Sequence, residues 1–177
     1  GGINRGGSFD GFSQSCTGTI AATLAETWVT AREISARAGG DPGSVGLLGP
    51  MSLPAAAKPA RLALLETDGW AKATDGAKAE LQRAVAALRA AGVEISDRKS
   101  DPKISAVEDA LAGAMPLAMS INAWEGRWPL NSYKRDMDAT GLSKSALDRL
   151  SQAEKMSQEE YARLIADRQG VRETFAT

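Results

Sequence analysis

Two short apolar runs on either side of one amphipathic helix constrain this 177-residue chain more than any other feature. The run "RLALLE" at Arg61–Glu66 has the length of a buried strand. A helix over Asp75–Ala91 follows, with Leu81, Val85 and Leu88 pointing inward and Asp75 placed to cap its first turn. Gly92 ends the helix, and "VEISD" alternates, with Val93 and Ile95 on one face. A strand-helix-strand unit of this kind forms a parallel pair with a right-handed crossover. The fold class expected is therefore α/β and helix-rich, a small sheet packed by helices.

The remainder reads as helix and loop. Thr19–Ala38 is expected as one helix, with Ile20, Leu24, Trp28, Ala31 and Ser35 on a stripe and Gly39-Gly40 as a left-handed stop. "DPGSVGLLGPMSLPAAAKP" is a connector rich in Gly and Pro. Ile104, Val107, Leu111 and Met115 share a face up to a break at Pro116. Ser143 caps a short helix, with Leu142 and Leu147 as a staple. Ser157 with Glu160 makes a capping box, with Met156 and Tyr161 as its staple. The organisation expected is one domain, or a fragment of a larger one. It has an opening loop and helix (1–40), a connector (41–60), the strand-helix-strand unit (61–97) and a helical part (104–177).

Composition narrows the chemistry. The chain has no histidine, which removes Ser-His-Asp and Cys-His catalysis and His-ligated metals. Its one cysteine, Cys16, can form no internal disulfide and no Cys-built zinc site. No metal or cofactor is expected. The 21 basic residues are scattered among 22 acids, whereas a nucleic-acid binder clusters Lys and Arg. No apolar run approaches the ~20 residues of a membrane span, and no signal peptide is visible. The partners expected exclude nucleic acid and membrane, and cytoplasm is the default compartment.

Three groups of residues invite a functional reading, each with a plainer one beside it. Gly43, Gly46 and Gly49 lack the preceding strand and following helix of a phosphate loop and read as structural. Ser8, Ser13, Ser15, Cys16 and Thr17 are nucleophile types, but no lysine precedes Lys58, so the stretch reads as a turn-rich helix entry. "NAWEGRWPLNSYKRD" gathers Trp124, Glu125, Arg127, Trp128, Asn131 and Tyr133, as core or as pocket wall. Trp124 and Trp128 are four apart and share a helix face. Glu125 fits a buried anchor for a loop backbone. Glu108-Asp109 and Glu159-Glu160 read as solvated helix faces, and Asp136 with Asp138 as a bare cation-site idea.

The opening resembles the amidase signature family. Members carry a Ser-Leu-Asp-x-x-Gly-Pro-Met-x-x-Thr-Val-Glu-Asp stretch that opens a helix ending in an Ala-Gly-x-Asp-Pro turn. This chain reads Ser13-Gln14-Ser15-Cys16-Thr17-Gly18-Thr19-Ile20, then Ala21-Ala22-Thr23-Leu24-Ala25-Glu26, and closes with Ala38-Gly39-Gly40-Asp41-Pro42. Ser13, Gly18, Thr23 and the closing turn match, while Ser15 stands for the family's Asp and Thr19 for its Pro. The later order of elements resembles the family over essentially the whole chain. The resemblance implies part of an α/β/α sandwich and hydrolysis of carbon–nitrogen (amide) bonds by a Ser nucleophile, a second Ser and a Lys base. The family's Gly/Ser-rich signature and its Lys precede the point where this chain begins, so no residue here is assigned as catalytic, and the chain reads as truncated. The positions implied to face a substrate are Phe9, Phe12, Ser13 and Gln14, with Trp124 and Trp128 on a far wall. A small-molecule amide is the implied substrate once the enzyme is completed. The alternative is a non-catalytic α/β module that binds a partner or forms a homo-oligomer through an exposed sheet edge.

Overall fold

A computed structural model describes Ile3, residues 13–41 and residues 44–176. Seven α-helices and two strands follow in the order α1 (Leu24–Ala38), β1 (Arg61–Ala63), α2 (Asp75–Ala90), β2 (Glu94–Ser96), α3 (Pro102–Leu111), α4 (Ala114–Glu125), α5 (Arg127–Asp136), α6 (Lys144–Glu154) and α7 (Gln158–Ala176). The helix-rich α/β class read from the sequence is the class observed. Two compact units divide the chain: Gly1–Ala56 with Asn122–Lys155, and Ala57–Ile121 with Met156–Thr177.

In the second unit β1 and β2 pair in parallel, with Arg61 opposite Glu94, Leu62 opposite Ile95 and Ala63 opposite Ser96. Each strand is three residues long. The expected strand over Arg61–Glu66 is shorter because its partner runs out. Leu64 N–H makes the last rung to the Ser96 carbonyl at 2.8 Å. Beyond it the chain turns on Asp97, whose carboxylate accepts from the N–H groups of Lys99 and Ser100. α2 packs on β2 and α3 on α7. Val85, Val93 and Ile104 are the buried apolar residues of this unit, together with Ile121 at its end. The cap of α2 is Thr74 rather than Asp75; its hydroxyl accepts from Ala77 N–H, and Asp75 takes the first helical position.

α3 ends before Pro116. Gly113 adopts φ +79°, a left-handed conformation that costs glycine least, and the chain restarts as α4 at Ala114. Pro116 then sits in the first turn of α4, where its missing N–H is no loss. Glu108 is also placed differently from the sequence reading. Four residues after the buried Ile104, it lies on the same inward face and is itself buried. Its Oε1 accepts Glu66 N–H at 2.7 Å and its Oε2 accepts Arg98 Nη1 at 3.0 Å. It thus ties the chain after β1 and the loop after β2 to α3. Asp109, exposed, takes the other guanidinium nitrogen of Arg98.

In the first unit α1 starts at Leu24, five residues later than the stripe from Ile20 suggests. Thr23 is extended and forms a full capping box with Glu26, and this terminus fixes where the helix begins. Ile20 lies outside the helix and is fully exposed. Gly39 stops the helix with φ +73°, its N–H on the Ser35 carbonyl at 2.8 Å. α5 packs against α6, where Ala146, Leu150 and Ala153 are buried. Ser143 caps α6 through Ala146 N–H as expected.

In the second unit, Ser157 and Glu160 form the expected capping box of α7. Among the described residues no single helix is long and apolar enough to cross a membrane.

Candidate functional site: the Ser13 loop and its anchor

The residues singled out around the opening loop fall in the first unit. Phe9 and Phe12, with Ser8, lie outside the described residues. Ser13 and Gln14 form a turn and are half-buried, and the following stretch to Ile20 has no regular structure. Ser13 is held at the last residue of α4. Its backbone N–H donates to Glu125 Oε2 at 2.8 Å, and its hydroxyl donates to Glu125 Oε1. Glu125 is only 5% exposed. A buried carboxylate is stable when its lone pairs are filled, and a backbone N–H with a hydroxyl of the same residue fills one on each oxygen. The anchor reading of Glu125 is the observed one.

The grip brings Ser13 to the residue next to Trp124. Trp124 carries a guanidinium on its ring, with Arg127 Cζ 3.8 Å from the ring centre. Trp128 does not share that helix. A helix running on from α4 would lack the Pro129 N–H and clash with the Glu125 carbonyl, so the chain breaks at Gly126 and restarts as α5. Trp128 stands at the second position of α5 and is 63% exposed. The expectation of one continuous aromatic face is corrected accordingly.

The other nucleophile types are surface groups: Ser15, Cys16 and Thr17 are exposed. Of the glycine run, Gly46 is packed as a structural residue, as read, and Gly43 lies outside the described residues. A side chain at Gly46 would place Cβ 2.6 Å from Ser35 Oγ, and one at Gly40 would meet the Ser44 carbonyl at 2.6 Å. This packing is the work of α1. Trp28, Arg32 and Ser35, at spacings of four and three, grip the loop that returns over the helix. Trp28 Nε1 donates to the Pro50 carbonyl at 3.2 Å and Arg32 Nη2 to the Gly49 carbonyl at 2.7 Å. Ser35 Oγ accepts Leu47 N–H at 2.6 Å. The sequence stripe named Trp28 and Ser35 as core-facing and missed Arg32, which is buried. Its four-residue spacing from Trp28 was the available signal.

Asp136 and Asp138 are committed locally. Arg135 bonds both oxygens of Asp136 and holds that carboxyl below its ordinary range. Thr140 donates its hydroxyl and its N–H to Asp138 Oδ1 and likewise holds that carboxyl below its ordinary range. Among the described residues no group of three or more His, Cys, Asp or Glu is placed to hold a metal ion.

Two adjoining grooves of about 440 and 330 Å³ lie in the second unit, sharing Ser120 and Leu164, and neither is lined by a residue of the Ser13 loop. No family model matches the chain, and comparisons with curated proteins and with solved structures return no match.

Proposed function

We propose that this chain is a portion of an amidase-family hydrolase acting on amide bonds. It supplies scaffold and one wall of the substrate pocket, while the Ser, Ser and Lys that perform the chemistry lie outside these residues. The observation that carries the reading is the double grip of Glu125 on Ser13. A nucleophilic serine needs a base that takes its proton and donors that receive the developing oxyanion. Ser13 donates its hydroxyl and its N–H to the same buried carboxylate, so the N–H is committed to that carboxylate and not to an oxyanion, and the two hydrogen bonds to one group fix a loop in place. The position next to Trp124 suits a wall, and the parallel strand-helix-strand unit suits the α/β sandwich that the resemblance implies. An aromatic at Phe12 favours an apolar or aromatic acyl group. Cytoplasm is the compartment proposed, and the substrate is a small-molecule amide.

The test is complementation. The polypeptide encoded by the reading frame upstream of Gly1 is joined to this chain, and release of arylamine from an aryl amide is followed. Turnover by the joined protein and none by the 177 residues alone supports the reading; turnover by the isolated chain overturns it.

A second reading, a module that self-associates, rests on β1. All three of its residues are exposed, Leu62 at 38%. Parallel sheets are normally covered on both faces, and an open strand edge invites pairing. Light scattering separates the two: a concentration-dependent dimer of the isolated chain favours self-association, and a monomer at all concentrations removes it.

A further inference from the structure

We propose that the larger groove of the second unit binds a small organic monocation, an ammonium on an apolar body, at a site independent of the hydrolase reading. The groove holds about 440 Å³, within the range of small-ligand pockets. Small residues open it. α3 stops at Leu111, and Gly113 has no atom within 4 Å of the place where its side chain would stand. Leu117 of α4 and Leu164 and Val171 of α7 line the groove with half-buried apolar surface. Among the described residues that line it, Asp167 alone carries a charge. Asp167 stands three residues after Leu164 and four before Val171, on the face that α7 turns to the groove. The helix itself has no use for this carboxylate. It lies well beyond the first turn, where the dipole favours an acid. It makes no hydrogen bond or ion pair among the described residues, and Arg163, one turn earlier, gives its Nε to the Glu159 carbonyl. Ser120, half-buried on the α4 side of the groove, also makes no side-chain hydrogen bond among the described residues. A mid-helix serine ordinarily turns its hydroxyl to a carbonyl of the preceding turn or to solvent, and here it opens into the groove. A carboxylate and a hydroxyl in an apolar cleft match an ammonium: its N–H groups meet the oxygens and its hydrocarbon covers the leucines and valine. The same carboxylate repels an anion.

The probe is phenethylammonium chloride, with 2-phenylethanol as its uncharged counterpart of the same shape. The methyl resonances of Leu117, Leu164 and Val171 in the full chain are followed by NMR while each is titrated. Phenethylammonium is expected to shift them saturably and to bind about fivefold more tightly than the alcohol, the upper end for an exposed charge pair. Asp167→Asn keeps the shape of the side chain and breaks no bond among the described residues. It is expected to remove the preference for the ammonium and to leave the binding of the alcohol unchanged. Equal affinity for the two probes in the wild type overturns the proposal. So does a preference that survives in Asp167→Asn, or a titration with no saturable shift at these methyls. The comparison of the two probes on the wild type decides by itself if Asp167→Asn does not fold.

Discussion

Ser13 and Glu125, 112 positions apart in the chain, are joined by two hydrogen bonds that use both oxygens of one buried carboxylate. The pair closes the opening loop onto the end of α4.

Removing the carboxylate leaves the Ser13 N–H without its acceptor in a part-buried position. Glu125→Ala is expected to destabilise the protein by about 2–3 kcal/mol, the cost of an unsatisfied buried donor plus lost charge-assisted bonds. Ser13→Ala removes only the hydroxyl and is expected to cost about 1 kcal/mol. Urea unfolding of both and of the double variant is the measurement. The double variant is expected to cost less than the sum, since the two residues share one contact.

The packing of the returning loop on α1 sets a contrast between glycines. Gly46→Ala forces Cβ to within 2.6 Å of Ser35 Oγ, the atom that accepts Leu47 N–H. Its expected cost is about 1–3 kcal/mol, as for other overpacked sites. Gly18→Ala meets nothing within 4 Å and carries no such steric cost. Thermal melting of the two variants side by side reads the difference.

Glu108 and Asp109 are adjacent acids with different work. Glu108→Ala frees the Glu66 N–H and the Arg98 guanidinium together. Its expected cost is about 2 kcal/mol, discounted because the Arg98 side chain is 47% exposed. Asp109→Ala loses only an exposed ion pair, for which about 0.5 kcal/mol or less is expected. Equal losses in denaturant unfolding would contradict the division.

The turn after β2 carries a pH signature. Asp97 is held below its ordinary 3.8, first by the Ser100 hydroxyl, then by the N–H groups of Ser100 and Lys99. A carboxyl depressed in the folded state contributes stability that is present above its unfolded pKa. That contribution is lost as pH falls through the folded value. NMR titration is therefore expected to place the Asp97 midpoint below 3.8 and to move it upward in Ser100→Ala. An unmoved midpoint would remove the hydroxyl as the cause.

What the sequence showed, and what it hid, follows from the range of the interactions. The caps at Ser143 and Ser157 and the glycine stop at Gly39 depend on residues a few positions apart, and the parallel pair, 33 positions apart in register, was legible from two apolar runs flanking one helix. The start of α1 was also written locally, as Thr23 with Glu26, but the apolar stripe through Ile20 competed with it. Glu108 shares a face with Ile104, yet an acid pair reads as solvated until the Glu66 N–H that it serves is in place. The break between Trp124 and Trp128 was signalled by Gly126 and Pro129, which the four-residue spacing of the tryptophans outweighed. The partners of Arg32 and Glu125 lie 17 and 112 positions away, and only the fold brings them together. The anchor role of Glu125 was legible, but not that it holds Ser13.

The Ser13 loop is proposed as a wall and not a nucleophile. A fluorophosphonate, which reacts with activated serines, applied to the 177-residue chain and followed by peptide mapping, tests this most directly. The expected result is no adduct on Ser8, Ser13 or Ser15. A stoichiometric adduct on any of the three would contradict it.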